Sequence, residues 1–150
     1  MRLVKISDAF FEKCIINDTC RELMFNEDGR PGVLLVKLHY RGKYHKFVVP
    51  LRSNISSSTP RWQYFSLPPS PRTRSNHSHG AHYIKLFPIT DEYIQSYIVN
   101  KPFDRLIKQL LTNREDEIVA ACQAYLNQCE HGNKHPMTPD IDGILRWLYL

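Results

Sequence analysis

Residues 33–51 contain the feature of this sequence that most restricts its fold. Two runs rich in β-branched and aromatic residues, VLLVKLHY and KYHKFVVPL, stand on either side of the dipeptide Arg41-Gly42. A two-residue X-Gly turn between such runs is typical of a β-hairpin, because the glycine tolerates the positive φ that the turn needs. The sequence therefore predicts an antiparallel strand pair around which the fold is built.

Other strands are predicted from the hydrophobic pattern. MRLVKI, residues 1–6, alternates apolar and basic side chains as a half-buried strand does, and AHYIKLFPI, residues 81–89, also has strand character. NEDGRPG, residues 26–32, has the composition of an exposed loop. The Ser, Pro and His content of residues 56–80 predicts a long basic loop, with RWQYFS as a candidate short strand inside it.

Helices are predicted mainly in the second half. Ser7 can cap a helix that extends to about residue 16, and the Thr-Asp-Glu sequence at residues 90–92 predicts a helix to about residue 99. Residues 103–130 have helical periodicity with a join near Asn113, and residues 138–150 predict a last helix, capped by Thr-Pro-Asp. Strands followed by helices favour an α+β fold with a strongly curved antiparallel sheet.

The length and composition limit the class of protein. A chain of 150 residues fits one domain, residues 1–150, with a sizeable core. No apolar run approaches the length of a membrane span and no secretory leader is evident, so we expect a soluble, cytoplasmic protein without a membrane partner. The four cysteines form no CxxC pair and are predicted to be free thiols.

Charge is unevenly distributed along the chain. The net charge is +5, but the stretch from Gly29 to Thr90 contains no Asp or Glu and carries ten of the 20 Lys and Arg residues. A solvated surface normally mixes its signs, so this segregation favours a polyanion as partner. The side chains of this stretch that we expect to contact such a partner, a nucleic acid for example, are Lys37, Tyr40, Arg41, Lys43, Lys46, Arg61, Trp62, Arg72, Arg74, His77, His79 and Tyr83.

Arg52-Ser53-Asn54 is the first motif whose side chains carry groups suited to binding or catalysis. It follows the apolar run VVPL, where we expect the second hairpin strand to leave the sheet. A guanidinium bridges two phosphate oxygens, a hydroxyl donates to a third or holds a ribose hydroxyl, and an amide orients either. Ser and Asn are also ordinary turn formers, so the residues alone are equally consistent with a phosphate site and with a simple strand end.

The histidines His77, His79 and His82 resemble a metal site only superficially. Their spacing matches no standard zinc pattern, and no Asp, Glu or Cys lies near them in the sequence. We therefore predict no metal and no cofactor. Neutral imidazoles close to Arg72 and Arg74 suit phosphate contact or acid–base chemistry, with a solvated low-complexity loop as the alternative.

Lys85 and several aromatic residues are further candidates. A lysine in the middle of the strand predicted at residues 81–89 must face solvent or a charged ligand. Tyr40, Trp62 and Tyr83 can act as stacking platforms for unpaired bases, although an aromatic residue in a strand is more often part of the core. Trp62, between Arg61 and Gln63, is the aromatic residue that we expect to be exposed.

The order of these segments resembles a known family. A short first strand and helix, RPGVLLVKL, VVPLRSNI, a basic loop and GAHYIKLFPITDEYI are together similar to the TenpN branch of the ToxN/AbiQ toxins, the proteins of type III toxin–antitoxin systems. The resemblance covers roughly residues 1–110, and its most specific parts are PLRSN and GAHYIKLFPITDEYI.

The resemblance implies a sequence-preferring endoribonuclease that acts in phage defence, with a compact curved sheet similar to that of the MazF/Kid toxins. Such toxins use no metal: the ribose 2′-hydroxyl attacks phosphorus and leaves a 2′,3′-cyclic phosphate and a 5′-hydroxyl. The substrates would be cellular or phage RNA. A small structured antitoxin RNA, which the toxin cuts from a repeat precursor, would inhibit the enzyme, and an RNA-bridged higher-order complex is compatible with this arrangement.

The resemblance also implies site residues. Ser53 takes the place of the family's serine, with Arg52 and Asn54 beside it as in the TenpN branch. Relatives usually have a Lys or His shortly after that serine, but here Ile55 and three serines follow. The missing base or cation must then come from elsewhere, with Lys85, Arg61 or His79 as candidates, or the activity is weak. We include Lys85 with Arg52, Ser53 and Asn54 in the predicted catalytic set.

Two alternatives remain open at the level of sequence. A non-catalytic RNA- or DNA-binding module also explains the basic stretch. The nuclease and the binding module both predict salt-dependent binding of nucleic acid. An interaction protein that docks through its apolar C-terminal helix explains IDGILRWLYL but not the lack of acids in residues 29–90.

Overall fold

The computed structural model of the chain describes residues 1–25 and 31–150, and of residues 34–36 it describes the backbone only. The predicted loop at residues 26–32, including Arg30, therefore lies mostly outside the described residues. The α-helices are α1 (Asp8–Ile16), α2 (Pro102–Asn113), α3 (Glu115–Glu130) and α4 (Ile141–Leu148). The strands are β1 (Arg2–Ile6), β2 (Gly32–Tyr40), β3 (Lys43–Ser56), β4 (Tyr64–Leu67), β5 (His77–His82), β6 (Phe87–Ile89) and β7 (Ile94–Ser96).

The described strands form one antiparallel sheet in the order β4-β5-β3-β2-β1-β7, with β6 paired to β3. The predicted hairpin is the pair β2–β3, and its turn residues Arg41 and Gly42 have φ values of 50° and 83°. Positive φ at both positions matches the twist of the adjoining strands. The predicted α+β fold with an antiparallel sheet is confirmed.

Helices cover both faces of the sheet. One face packs against α2 and α3 through Leu3, Phe47, Val49, Leu51, Ile107, Leu111, Ile118 and Leu126. The other face packs against α1 and part of α4 through Val4, Val48, Phe87, Ile89, Phe10, Cys14 and Ile144. Because successive side chains of a strand point to opposite faces, the continuous apolar run in β3 is explained by a sheet that is buried on both sides.

The motif Arg52-Ser53-Asn54 lies within β3 and not after its end. β3 has 14 residues and continues to Ser56, because its second half pairs with β5. The prediction that the strand ends before the motif was therefore wrong. Ser and Asn can be turn formers, but here the strand continues, because the residues on either side of them pair with β5.

Two other predictions about local structure are corrected. The strand predicted at residues 81–89 is split into β5 and β6 by the 3₁₀ helix Tyr83–Lys85. The helix predicted at residues 90–99 is replaced by the 3₁₀ turn Asp91–Tyr93 and by β7, which pairs with β1. In this segment the sheet edge at β1 supplies hydrogen bonds that override the local helix signal.

The segment 56–80 is only partly a loop. It contains the 3₁₀ helix Arg61–Gln63, the strand β4 and the beginning of β5, so the irregular part between the two strands is residues 68–76. The candidate strand within RWQYFS corresponds to β4 and is confirmed. Pairing of β4 with β5 converts a polar segment into the edge of the sheet.

The remaining predicted helices are confirmed. α1 follows Ser7, although the Ser7 side chain makes no capping hydrogen bond and its buried Oγ has no hydrogen-bond partner among the described residues. α2 and α3 meet at Asn113 and Arg114, as the pattern indicates. All four cysteines are free thiols, and Cys122 and Cys129 are buried on α3.

Asp140 caps α4, and its removal tests the predicted start of this helix. Oδ1 of Asp140 accepts a hydrogen bond of 2.9 Å from the backbone N–H of Gly143. We expect Asp140→Ala to lower the free energy of unfolding by about 1 kcal/mol, the usual value of an N-cap. Chemical denaturation measures this loss, and Asp140→Ser, which retains a capping oxygen, should recover most of it. Equal losses for both variants would contradict the capping role.

Candidate active site

A β-bulge interrupts the pairing of β3 with β5. The regular register stops at Arg52 and resumes at Ile55. Between them, Ser53 and Asn54 of β3 lie opposite one residue of β5, His79. A bulge of this kind inserts one extra residue, so the two side chains of the bulge point toward the same face and the alternation beyond them is reversed. Ser53, Asn54 and His79 are therefore brought together on one face of the sheet.

Gly80 allows the strands to approach closely beside this bulge. A Cβ atom at this position would lie 2.3 Å from the backbone carbonyl oxygen of Phe65 on β4. A backbone atom cannot move away as the end of a side chain can, so any larger residue would displace β4 from β5. Glycine here is required by the packing of the strands that hold His79.

A cavity of about 400 Å³ lies at the bulge. Its apolar lining includes the buried side chains of Leu3, Leu51 and Ile107. Its polar lining consists of Ser53, Asn54, Ser70, Arg72, His79, Tyr97, Lys101 and Asp104. A cavity of this size with a few convergent polar groups is typical of a small-ligand site, and a single nucleotide is of suitable size.

The loop at residues 68–76 holds the hydroxyl of Ser53. Oγ of Ser70 donates a hydrogen bond of 3.3 Å to Oγ of Ser53 and lies 3.1 Å from Oγ1 of Thr73. Because Ser53 accepts this bond, its own hydroxyl hydrogen is available to donate toward the cavity. The arrangement supplies a positioned donor on a rigid strand.

Asn54 fastens the same loop to the sheet. Its Nδ2 donates to the carbonyl oxygen of Arg72 at 3.0 Å, and its Oδ1 accepts from the backbone N–H of Arg74 at 2.8 Å. Both ends of the amide are therefore bonded to the backbone of the loop. Asn54 positions Arg72 in this structure, and this role differs from the predicted direct contact with an RNA backbone.

Removing the Asn54 amide should loosen the loop. Each side chain–backbone hydrogen bond contributes roughly 1 kcal/mol, so we expect Asn54→Ala to accelerate hydrogen exchange at the Arg74 amide by about tenfold or more. Mass spectrometry of peptides covering residues 70–76 measures the change. Asn133→Ala, which removes an exposed amide far along the chain, is the matched control and should leave the exchange unchanged. Unaltered exchange in Asn54→Ala would show that the loop is held by other contacts.

His79 is the imidazole of the cavity. Its side chain is 6% exposed, and its Nδ1 lies 2.8 Å from the carbonyl oxygen of Pro68. A carbonyl only accepts, so Nδ1 carries the hydrogen and Nε2 carries the lone pair. Burial lowers the pKa of His79, which keeps the ring neutral. The ring also stacks on Phe103 at 6.0 Å between centroids.

Positive charge reaches the cavity from two exposed side chains. Arg72 comes from the loop at residues 68–76, and Lys101 immediately precedes α2. The first turn of α2 also borders the cavity through Phe103 and Asp104, so the positive end of the helix dipole is directed to this region. These groups make the cavity suitable for a phosphate.

Arg52 lies on the other face of the sheet. Alternation along β3 separates its side chain from that of Ser53, and its Nη1 lies 3.4 Å from Nδ1 of His82. Arg52 does not line the cavity at the bulge. The sequence predicted that Arg52 and Ser53 act on one phosphate. In this structure the two side chains point to opposite faces of the sheet, so they do not converge on one phosphate.

Lys85 is also separate from the cavity. It lies in the 3₁₀ helix Tyr83–Lys85, is 6% exposed and donates to Oε2 of Glu22 at 3.0 Å and to the Glu22 carbonyl oxygen at 3.1 Å. The hydrogen bond with Lys85 lowers the pKa of the Glu22 carboxyl. The expectation that Lys85 faces solvent or a ligand was wrong, because the ammonium group is buried and pairs with the carboxylate of Glu22 in the same chain.

The predicted stacking platforms divide into buried and exposed residues. Tyr40 and Tyr83 are 2% and 5% exposed, so they belong to the core and cannot stack on a base from solvent. Trp62 is 52% exposed, as expected. The guanidinium of Arg61 lies 5.5 Å from the centre of the Tyr64 ring. Trp62 therefore remains a candidate for stacking, and its contact with RNA stays a prediction.

The stretch without acids in the sequence is not free of acids in space. Arg41 makes a bidentate pair with Asp142 on α4, with distances of 2.8 and 3.1 Å, and Lys46 pairs with Asp91. His77 is half-buried, with its Nδ1 2.8 Å from the carbonyl oxygen of Ser75. The cations that are exposed in the structure include Lys37, Lys43, Arg61, Arg72 and Arg74, and their contact with RNA stays a prediction.

Sequence reasoning missed four polar residues of the cavity: Ser70, Tyr97, Lys101 and Asp104. Ser70 stands in a low-complexity segment without a recognisable motif, and Tyr97 was placed within a predicted helix that does not form. Lys101 could have been found from the sequence. It directly precedes a helix that begins with Pro102, and a cation beside the N-terminus of a helix, which favours anions, indicates an anion site.

Within residues 1–25 and 31–150, no three His, Cys, Asp or Glu side chains are grouped so that they can hold a metal ion. Among the described helices, none combines the length and the apolar character needed to cross a bilayer.

No protein-family model matches the sequence, and no curated protein matches it either. The likeness to known proteins is found in three-dimensional structure. One solved structure comes from work on a processed non-coding RNA that regulates a bacterial antiviral system. It is 17% identical to this chain, with a TM-score of 0.69 over 97% of this chain and 96% of the other.

Two further structures are from type III toxin–antitoxin systems. One, from work on selective toxin inhibition by a non-coding RNA pseudoknot, has a TM-score of 0.75 at 14% identity over 99% of this chain and 95% of the other. The other is AbiQ, a lactococcal anti-phage endoribonuclease, with a TM-score of 0.68 at 11% identity over 99% and 96%. These structures do not distinguish the TenpN branch, which stays a prediction. The chain therefore has the fold of the proteins of type III toxin–antitoxin systems, the family that its sequence resembles.

Proposed function

We propose that this protein is the toxin of a type III toxin–antitoxin system and an endoribonuclease that cleaves RNA without a metal ion. The observation that carries the proposal is the Ser53 hydroxyl, held by Ser70 at a cavity of about 400 Å³ that is also lined by Arg72, Lys101 and His79. A hydroxyl, an imidazole and two cations are the groups that an attack on a phosphodiester requires. The shared fold with AbiQ, an endoribonuclease, supports the assignment.

In this proposal the reaction is an internal transfer at phosphorus. The ribose 2′-oxygen attacks the adjacent phosphorus, its proton passes to a base, and the bond from phosphorus to the 5′-oxygen breaks. The 5′-oxygen takes a proton, which the Lys101 ammonium can supply, so the products are a 2′,3′-cyclic phosphate and a 5′-hydroxyl. Arg72 and Ser53 would meet the charge that develops on the phosphoryl oxygens.

His79 is the best candidate for the base. Its Nδ1 is fixed by Pro68, so Nε2 carries the lone pair, and its lowered pKa keeps that nitrogen free of a proton near neutral pH. The other two candidates from the sequence are less suitable. Lys85 is buried against Glu22, and the Arg61 guanidinium, always protonated, lies at the Tyr64 ring.

Metal-assisted cleavage is poorly supported by the residues at the cavity. Two-metal nuclease sites are built from several carboxylates that bridge and hold the ions. Asp104 is the one carboxylate among the described residues that line this cavity. Chemistry carried by a hydroxyl, an imidazole and cations fits the site better.

We further propose that a small structured RNA inhibits the enzyme, that the enzyme cuts this RNA from a repeat precursor, and that it acts in the cytoplasm against cellular or phage RNA. The neighbours include a toxin inhibited by an RNA pseudoknot and an antiviral system regulated by a processed RNA. The exposed cations Lys37, Lys43 and Arg74 lie outside the cavity lining and provide additional surface for a larger RNA.

The experiment that tests the proposed function is cleavage of single-stranded RNA in the presence of EDTA, with analysis of the new ends. We expect fragments that carry 2′,3′-cyclic phosphate and 5′-hydroxyl ends. Cleavage that stops in EDTA and returns with Mg²⁺ would contradict the metal-independent mechanism. Salt-dependent RNA binding without cleavage would instead favour the second candidate, a non-catalytic RNA- or DNA-binding module.

A further inference from the structure

Two polar residues of the cavity have no role in the proposed chemistry. The Tyr97 hydroxyl donates a hydrogen bond of 3.2 Å to Oδ2 of Asp104, and both residues are half-buried in the cavity lining. Tyr97 comes from the segment after β7, and Asp104 comes from the first turn of α2. Two separate segments therefore converge to place one carboxylate at the cavity.

The Asp104 carboxylate has unused capacity to accept hydrogen bonds. An ionised carboxylate accepts at about four positions and donates at none. Among the described residues, Tyr97 is the one side chain that donates to it. Burial and the carboxylate raise the pKa of Tyr97, so its hydroxyl remains a donor and stays fixed on Oδ2. Oδ1 is left for a ligand that presents an N–H group.

The neighbouring surface of the cavity is suited to a flat ring. Phe103, the residue before Asp104, stacks with His79 at an interplanar angle of 26°. Leu3, Leu51 and Ile107 supply the apolar lining. Aromatic and aliphatic surface beside one oriented polar group is the combination that binds an unpaired nucleobase, which stacks through its face and is recognised at its edge.

We propose that this cavity binds one unpaired base of the RNA next to the cleaved phosphate, and that Asp104 selects a base with an exocyclic amine over uracil. The choice of RNA as ligand rests on the proposed function. Adenine, cytosine and guanine each present an amine to a carboxylate. Uracil presents two carbonyl oxygens around a single N–H, so the carboxylate is repelled. A well-placed contact of this kind discriminates by roughly tenfold to a hundredfold.

The test measures binding in the Ser53→Ala background, where RNA is held without being cut. Affinities for the eight-nucleotide RNAs A8, C8 and U8 are compared with and without Asp104→Asn. An amide offers both a donor and an acceptor and so accommodates the carbonyl of uracil. We expect the preference for A8 and C8 over U8 to fall by about tenfold in Asp104→Asn. Tyr97→Phe should reduce the preference less, because the carboxylate remains.

The matched control is Asp116→Asn, which likewise removes an acid from the first turn of a helix, α3, but at an exposed position. It should leave the preference unchanged. A preference that is the same with and without Asp104→Asn overturns the proposal, even if the wild-type protein cleaves RNA. A preference that depends on Asp104 in a protein that does not cleave RNA would support the base site while refuting the nuclease.

Discussion

Ser53→Ala is expected to end RNA cleavage and to leave RNA binding almost unchanged. The substitution removes one hydroxyl that lies at the cavity and is held at 3.3 Å by Ser70. Loss of one preorganised donor to a developing oxyanion typically costs on the order of a hundredfold to a thousandfold in rate. Binding should persist because Arg72 and Lys101, which attract the phosphate, remain in place.

The measurement is the cleavage rate under single-turnover conditions, together with the dissociation constant for an uncleaved RNA analogue. Ser66→Ala is the matched control, since Ser66 is an exposed serine on the neighbouring strand β4 and pairs with Gly80. It should cleave at the wild-type rate. A Ser53→Ala protein that cleaves within a few fold of wild type would remove Ser53 from the chemistry and would leave the cavity as a binding site only.

Local sequence signals were sufficient for much of the fold. The X-Gly turn at Arg41-Gly42 and the β-rich runs beside it predicted the β2–β3 hairpin that forms the centre of the sheet. The cap at Asp140 and the periodicity of residues 103–130 predicted α4, α2 and α3. These elements are determined by interactions between residues that are close in sequence, so a pattern in the sequence describes them well.

The candidate site depended on contacts that a local pattern does not contain. The bulge at Ser53 and Asn54 exists because β5 pairs with the second half of β3, more than twenty residues later in the chain. This bulge brings Asn54 to the same face as Ser53, and the ordinary alternation directs Arg52 to the other face. Sequence reasoning selected Ser53, which lines the cavity, and placed Arg52 beside it, but the guanidinium that lines the cavity with Ser53 is that of Arg72.

The same long-range effect explains the second half of the site. The acidic signal at residues 90–92 predicted a helix, but the edge of β1 takes up residues 94–96 as β7. This pairing places Tyr97 at the cavity, where it meets Asp104, which comes from a different element, α2. A pair formed by two elements that meet only in the folded chain has no signature in a single sequence, so its discovery required the structure.

The second large effect that we expect is a loss of stability in acid. It arises from His82, which lies beside Arg52. His82 is 1% exposed, and burial together with the charges of Arg52 and Lys85 lowers its pKa from 6.5 to about 4. In the unfolded chain the ring takes up a proton near pH 6.5, but the folded protein resists protonation until about pH 4. Acid therefore favours the unfolded state over this range.

The contribution of neutral His82 to the free energy of unfolding should be fully present above pH 6.5. As the pH drops from 6.5 to 4, protonation of this residue alone should lower the free energy of unfolding by about 3 kcal/mol. His82→Gln removes the titration and retains an acceptor for Arg52. The stability advantage of the wild-type protein over this variant, measured by denaturation at each pH, should be constant between pH 7 and 8 and should shrink by about 3 kcal/mol between pH 6.5 and 4. If both proteins lose stability in parallel, His82 is not buried as a neutral ring. The separation of Arg52 from Ser53 would be unaffected by that result, because alternation along β3, and not the charge state of His82, directs the two side chains to opposite faces.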